Sequence, residues 1–331
     1  MRKILFIYEK KNWSIYDDGY NLKKHNQNII LSKLPIPIFF YIKIIHFGSF
    51  NLLRKYKFLL RILKLFKFKI ICSWYHIDDS KDKNFYNFHD LYNYVDKWHV
   101  TTDEIYSHLL KENVVKNKIK KIFLGFESKL FYPPDISQII DLKNKLDLPK
   151  INNTIIIGSF QKDGSGWNGG DLIKQIKRPQ LFINFVKQLK KTNYDIFVVL
   201  SGPSRNFVIN ELKKNQIKYK YFGYVSQEKL SQLFKVIDYY FITSIKEGGP
   251  KSLIEATASN KKVISTNVGM SGYVLKKYLN GVIINEDEFE NFCDIFSKFH
   301  KTKINVDYKS FKKEFDWESI SNKYKELLYD L

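Results

Sequence analysis

Short runs of β-branched and aromatic residues recur along this chain, separated by stretches of helical period, and that alternation leaves few folds open. The runs KILFIY (3–8), IKIIHF (42–47), KIICSW (69–74) and WHVT (98–101) read as strands. TIIIGSF (154–160), DIFVVLSG (195–202), KYFGYV (220–225), YYFIT (239–243) and KKVIST (261–266) follow in the second half. Between them, QLFINFVKQLKK (180–191) and QEKLSQLFKVI (227–237) space their apolar residues as a helix with one buried face does. Strands alternating with helices predict an α/β class, with parallel sheets covered on both faces.

At 331 residues the chain exceeds the size at which a single core stops growing, so two domains are expected. The break falls in FYPPDISQIIDLKNKLDLPK (131–150), where Pro133-Pro134 and Pro149 flank a short helix. This gives a first domain over 1–145, a second over 146–306 and a terminal helical segment over 307–331. In that last segment Trp317, Ile320, Tyr324, Leu327 and Leu328 share one helical face.

The formal charge of +21 is a matter of lysine, since only five of the 55 basic residues are arginine (2, 54, 61, 178 and 205). A reader of nucleic acid uses arginine forks on bases and phosphates, so no nucleic-acid partner is expected. The excess instead suits solvated faces, anionic lipid or phosphorylated substrates. Cys72 and Cys293 sit in apolar runs without metal-like spacing, which fits buried thiols in a reducing, cytoplasmic compartment. The N-terminus reads as a first strand rather than a signal peptide, and no run reaches the ~18 apolar residues that span a bilayer.

One segment carries chemistry. SIKEGGPKSLIEA (244–256) follows a strand with a short loop, two glycines, a proline and a helix. Glycine lets backbone approach a ligand closely, and proline suits the first helical position, here Pro250. The first-turn amides, with Lys251 and Ser252 beside them, would attract an anion such as a diphosphate. Glu247 and Glu255 then stand on the order of 10 Å apart by helix rise and loop. That is too wide for a retaining hydrolase pair at ~5 Å, and it suits carboxylates gripping two ends of an elongated ligand.

The segment resembles the Glu-x7-Glu motif of the retaining GT-B glycosyltransferases of family GT4, the glycosyl transferases group 1. The likeness runs over most of 154–275, through IIIGSF, IKRPQLFINFVKQL, IFVVLSG, YFGYVSQEKLSQLF and DYYFITSIKEGGPKSLIEATASNKKVISTNVG in the family's order. KIFLGFESKLFYPP (121–134) resembles its interdomain segment and FDWESISNKYKELL (315–328) its final helix. The resemblance implies two doubly wound Rossmann-like domains facing across a cleft, with the last helix returning to the N-terminal domain. It implies a hexosyltransferase that takes a nucleotide-diphosphate sugar as co-substrate, with no metal and no resident cofactor. Glu247 would lie by the donor sugar as a catalytic residue, Glu255 on the ribose hydroxyls, and the amides of Gly248, Gly249, Lys251, Ser252 and Leu253 on the diphosphate and sugar. Lys177 matches the lysine of the family's basic pair. The arginine of that pair does not match, because Ser159 stands in its place; Lys162 or Lys174 is left to substitute. That departure keeps a second reading open, a peripheral nucleotide-sugar-binding protein weak in catalysis.

In the N-terminal half the likeness thins. EKKNWSIYDDGYN replaces the family's Gly-Gly loop, and Asp17 and Asp18 are either solvated or at an acceptor. His76 resembles the strand-end histidine that sits at the sugar and is taken as catalytic. The acidic run Asp78-Asp79-Ser80-Lys81-Asp82 is read as a loop rather than a metal site. RKYKFLLRILKLFKFK (54–69) interleaves basic and apolar residues. It is either a domain helix with a wet basic face followed by a strand, or an interfacial helix on anionic lipid. The setting implied is cytoplasmic, peripheral on the inner face of the membrane. The implied acceptor is a glycan or lipid-linked glycan of cell-surface polysaccharide or lipopolysaccharide assembly.

Overall fold

The structure is a computed structural model that describes residues 3–11, 13–36, 41–75, 89–150, 153–164, 172–192 and 194–329. It divides into two compact units, Met1–Gly125 with Glu314–Leu331, and Phe126–Lys313.

In the first unit the order is β1 (Lys3–Ile7), α1 (Ser14–His25), β2 (Ile29–Ser32), β3 (Ile42–Phe47), α2 (Phe50–Lys55), α3 (Lys57–Leu65), β4 (Lys69–Trp74), α4 (His89–Tyr94), β5 (Lys97–Val100), α5 (Asp103–Lys111) and β6 (Ile119–Lys121). The strands form one six-stranded sheet in the order β2-β1-β3-β4-β5-β6, every pairing parallel. Successive strand residues face opposite ways, so Leu5 and Ile7 join Phe47, Cys72, Trp74 and Trp98 in the core on one face. Ile4 and Phe6 join Ile44, Ile71, Trp317, Ile320, Tyr324 and Leu327 on the other. Those last four come from α14 (Trp317–Tyr329), which buries the stripe that its spacing predicted. Gly125 makes room for it, since a Cβ there would lie 2.6 Å from the Trp317 ring.

The second unit runs α6 (Ile136–Lys145), β7 (Thr154–Phe160), α7 (Pro179–Lys190), β8 (Asp195–Ser201), α8 (Asn206–Lys214), β9 (Lys218–Tyr221), α9 (Gln227–Val236), β10 (Tyr239–Ile242), α10 (Lys251–Ala258), β11 (Lys262–Ser265), α11 (Ser271–Tyr278), β12 (Gly281–Ile283), α12 (Phe292–Lys301) and α13 (Tyr308–Phe315). Its sheet is again parallel throughout, in the order β12-β11-β10-β7-β8-β9.

Two details depart from the sequence reading. The strand expected over 220–225 lies at Lys218–Tyr221, because Gly223 takes φ +70 and ends the pleat. Pro250 caps α10 rather than opening it: its φ of −65 suits a helix, but its ψ of 114 is extended, and the helix starts at Lys251. Residues 54–69 are two helices, α2 and α3, and the start of β4, with Leu60 and Leu63 buried. Among the described residues no helix is long and apolar enough to cross a membrane.

Candidate active site

In an open parallel sheet, ligands bind beyond the carboxyl ends of the strands, where neighbouring strands send their connections to opposite sides. In the second unit that point lies between β7 and β10. From β7 the chain winds out through β8 and β9; from β10 it winds the other way through β11 and β12. The Glu-Gly-Gly-Pro turn follows β10, so the fold sets the chemistry-bearing segment at this crevice.

Lys177 reaches the same place by a separate route. It closes a short 3₁₀ turn (Gln175–Lys177) ahead of α7, whose first residue is Pro179 and whose N-cap Arg178 is left-handed at φ 44. The turn is stitched to the end of β10. Thr243 Oγ1 donates to the carbonyls of Lys177 and Arg178, each at 3.2 Å, and Ile245 N donates to Ile176 O at 2.8 Å. The Lys177 ammonium donates to Glu247 Oε1, which also accepts from Ser244 Oγ at 2.6 Å. Both side chains are largely but not wholly buried, at 18% and 15% exposed. An ammonium has three N–H donors, so Lys177 can hold Glu247 and still meet a second anion.

The glycines have specific work. Gly249 takes φ +110, a conformation L side chains rarely adopt. Gly269 lies under the turn, where a Cβ would stand 2.9 Å from both Glu247 O and Gly249 N. Beyond the turn α10 begins, and its Leu253 N donates to Pro250 O at 3.0 Å. Lys251 and Ser252 are half-buried there, while Leu253 and Glu255 are buried. Glu255 lies near the Tyr240 phenol, which Ser252 and the Phe160 backbone hydrogen-bond. Burial above all, with Glu255 adding to it, pushes that phenol well above its usual range.

At Ser159 the side chain is buried and accepts a hydrogen bond from Arg205 Nη2 at 3.0 Å. Arg205, from the loop after β8, also donates to Gln161 O at 2.7 Å and stands 2.9 Å from Asp163 Oδ2. Burial lifts the Asp163 carboxyl, against the pull of Arg205. Lys162, between Gln161 and Asp163, is half-buried, and Lys174 is exposed.

In the first unit the corresponding switch point lies between β1 and β3. Gly48 there admits no Cβ, which would lie 2.7 Å from Ile7 O. Below it runs a buried polar chain on the α14 face. Tyr324 Oη and His46 Nδ1 are 2.5 Å apart, His46 Nε2 and Ser73 Oγ 2.8 Å, Ser73 Oγ and His99 Nδ1 2.8 Å, and His99 Nε2 and Ile122 O 2.9 Å. Asp18 is buried and accepts from Tyr75 Oη at 3.3 Å. His76 and the run 78–82 lie outside the described residues. Among the described residues no group of three or more His, Cys, Asp or Glu side chains is placed to hold a metal ion.

Residues 170–317 match the model of the family described as Glycosyl transferases group 1. That segment carries β8 to β12, Lys177 and the whole of the glycine turn. Over those residues the chain is similar to the group 1 glycosyl transferases. The fold of the full chain agrees. Anabaena Alr3699/HepE, solved with UDP and glucose, superposes with a TM-score of 0.78 at 14% identity, covering 100% of both chains. The sucrose-phosphate synthase of Thermosynechococcus elongatus gives 0.74 at 14%, covering 100% of this chain and 99% of that one. The lipopolysaccharide outer core galactosyltransferase WaaB gives 0.68 at 13%, covering 99% of each. Two doubly wound parallel units in one chain are the GT-B fold. No curated protein matches the chain in sequence.

Several residues of this candidate site escaped sequence reading. Thr243 read only as a strand end, Ser244 only as the first residue of the turn, and Gly269 was an unremarked glycine in STNVG. Arg205 had one signal to offer, being among only five arginines in a lysine-rich chain.

Proposed function

We propose that this chain transfers a hexosyl unit from a nucleotide-diphosphate sugar to a glycan or lipid-linked acceptor, with retention at the anomeric carbon. The setting is cell-surface polysaccharide or lipopolysaccharide assembly, in the cytoplasm at the inner face of the membrane. The Lys177–Glu247 pair, held at the switch point beside a glycine turn and a helix start, carries this reading.

In this reading Lys177 and the amides from Gly248 to Leu253 meet the diphosphate, with Lys251 and Ser252 beside it. Glu247 lies by the donor sugar and Glu255 takes the ribose hydroxyls. As the glycosidic bond breaks, negative charge grows on the leaving diphosphate. A preorganised ammonium and amide cradle stabilises that charge more than it stabilises the bound substrate. Lysines and amides supply the neutralisation, so neither a metal nor a resident cofactor is invoked. His76 is assigned to the sugar on the acceptor side. Support for the donor class comes from the Anabaena protein, whose structures include one with UDP-glucose, and for the setting from the galactosyltransferase of the lipopolysaccharide outer core. The basic and apolar outer surface of α3 supports a partner in anionic lipid.

The test is nucleotide release from a panel of UDP-, GDP- and ADP-sugars, with and without bacterial glycan acceptors. Wild type is expected to turn over one donor class. Lys177→Ala and Glu247→Gln should lower kcat about 10²–10³-fold, the usual effect of removing an electrostatic stabiliser. Glu255→Ala should act mainly on donor KM, by about tenfold, as the loss of a hydrogen bond to a charged group does. Undiminished turnover in both glutamate variants would refute the assignment. Binding without release by wild type would favour the weakly catalytic binding protein instead.

A further inference from the structure

The buried pair Arg205–Asp163 lies where the family resemblance expects an arginine to arise from position 159. Arg205 is 0% exposed at its side chain and Asp163 is 1%. A buried ion pair is weak evidence for stability, because desolvation of both ions offsets their attraction. This pair instead fixes geometry. The guanidinium hydrogen-bonds the Ser159 hydroxyl and the Gln161 carbonyl and ion-pairs with the Asp163 carboxylate, all at the end of β7 and just beyond it. Gln161 Nε2 adds a bond to Asp163 Oδ1 at 3.0 Å. Gly202, at φ +107, lets the end of β8 come this close, since a Cβ there would stand 2.5 Å from Gln161 O. The returning arm is tied in as well: Lys174 N donates to Asp163 O at 2.6 Å, and Gly164 bridges Ile173. That arm leads directly to Lys177, whose charge acts on Asp163.

Resting on the donor reading above, we propose that Arg205 is a positioning residue that makes Lys162 the second cation for the donor diphosphate. Arg205 and Asp163 neutralise one another, so the pair supplies a frame rather than charge. The frame clamps the residues on both sides of Lys162, and in this proposal its ammonium joins Lys177 on the diphosphate. Lys174, exposed on the far arm, is not part of the pair of cations. An arginine suits 205 because its planar fork donates to Gln161 O and Ser159 Oγ while its charge pairs with Asp163.

The test compares binding of UDP, GDP and ADP, by calorimetry, with competition by the matching free nucleosides. Lys162→Ala, Arg205→Lys and the double variant Arg205→Met with Asp163→Leu are measured against wild type. The double variant removes both charges together, so it leaves no unpaired buried ion. Each of the three is expected to weaken the nucleoside diphosphate at least tenfold and leave the nucleoside unchanged. Adding Lys162→Ala to the double variant should cost little more, because the two changes act on one interaction. Equal losses for nucleoside and diphosphate, or full additivity, would overturn the proposal. If the double variant does not fold, Lys162→Ala decides alone: undiminished diphosphate affinity overturns it. A wild type that binds none of the three diphosphates refutes the donor reading itself, which separates the two failures.

Discussion

Ile122 offers His99 Nε2 only a carbonyl oxygen, so His99 must carry its proton on that nitrogen. A neutral His99 then accepts at Nδ1, Ser73 donates to it, and Ser73 in turn accepts from His46 Nε2. His46 Nδ1 is left as acceptor for the Tyr324 hydroxyl. The chain satisfies every member in one direction only, with both histidines neutral. Burial lowers the pKa of His46 well below 6.5, with His99 adding to the effect, and burial also lowers that of His99, opposed by the Ile122 bond and Asp18. The unfolded chain therefore binds protons that the folded chain refuses. This term is absent above pH 6.5 and costs stability as pH falls below it, by up to about 1.4 kcal/mol per pH unit for each histidine. Urea unfolding between pH 7.5 and 5.5 should show stability falling toward the acid side. Tyr324→Phe should cost about 1–3 kcal/mol at pH 7.5 by leaving His46 Nδ1 without a donor. A flat profile together with an unaffected Tyr324→Phe variant would contradict the proton arrangement.

At the scale of single elements, α3 carries an exposed mix of basic and large apolar residues. Leu60 and Leu63 face the core, yet Phe58 is 82% exposed and Leu65 77%, with Ile62 and Phe66 also exposed. Lys57, Arg61 and Lys67 are exposed among them, while Lys64 turns to Asp96 at 2.5 Å. The mix of basic and large apolar side chains fits the interface of an anionic bilayer. Phe58→Ser with Leu65→Ser should lower co-sedimentation with phosphatidylglycerol vesicles at least fivefold, and added salt should lower that of wild type. Equal binding to phosphatidylcholine and phosphatidylglycerol would count against it. The elements differ in how far the sequence disclosed them. β3, β4 and β7 run where their apolar residues run, and α10 follows its Gly-Gly-Pro signal, because each is dictated by neighbours in sequence. β2, β6 and β12, three or four residues each, carry too little pattern to register. The same divide runs through the site: Glu247, Glu255 and Lys177 lie in local motifs. The bonds from Arg205 to Ser159 and from Tyr324 to His46 join residues 46 and 278 positions apart, which only the folded topology brings together.

For the whole molecule, each unit carries its own doubly wound sheet and its own switch-point crevice, and the last helix belongs to the first unit. The charge of +21 is spread as lysine, a distribution suited to drawing anionic ligands and surfaces rather than to reading bases. Under the proposed function a nucleoside diphosphate sits at the β7–β10 crevice of the second unit. Hydrogen exchange of the full chain, with and without saturating UDP, GDP or ADP, tests that placement directly. The nucleotide that binds should slow exchange in peptides covering 158–163, 174–178 and 244–256. Protection confined to other segments, or none with any of the three, would contradict it.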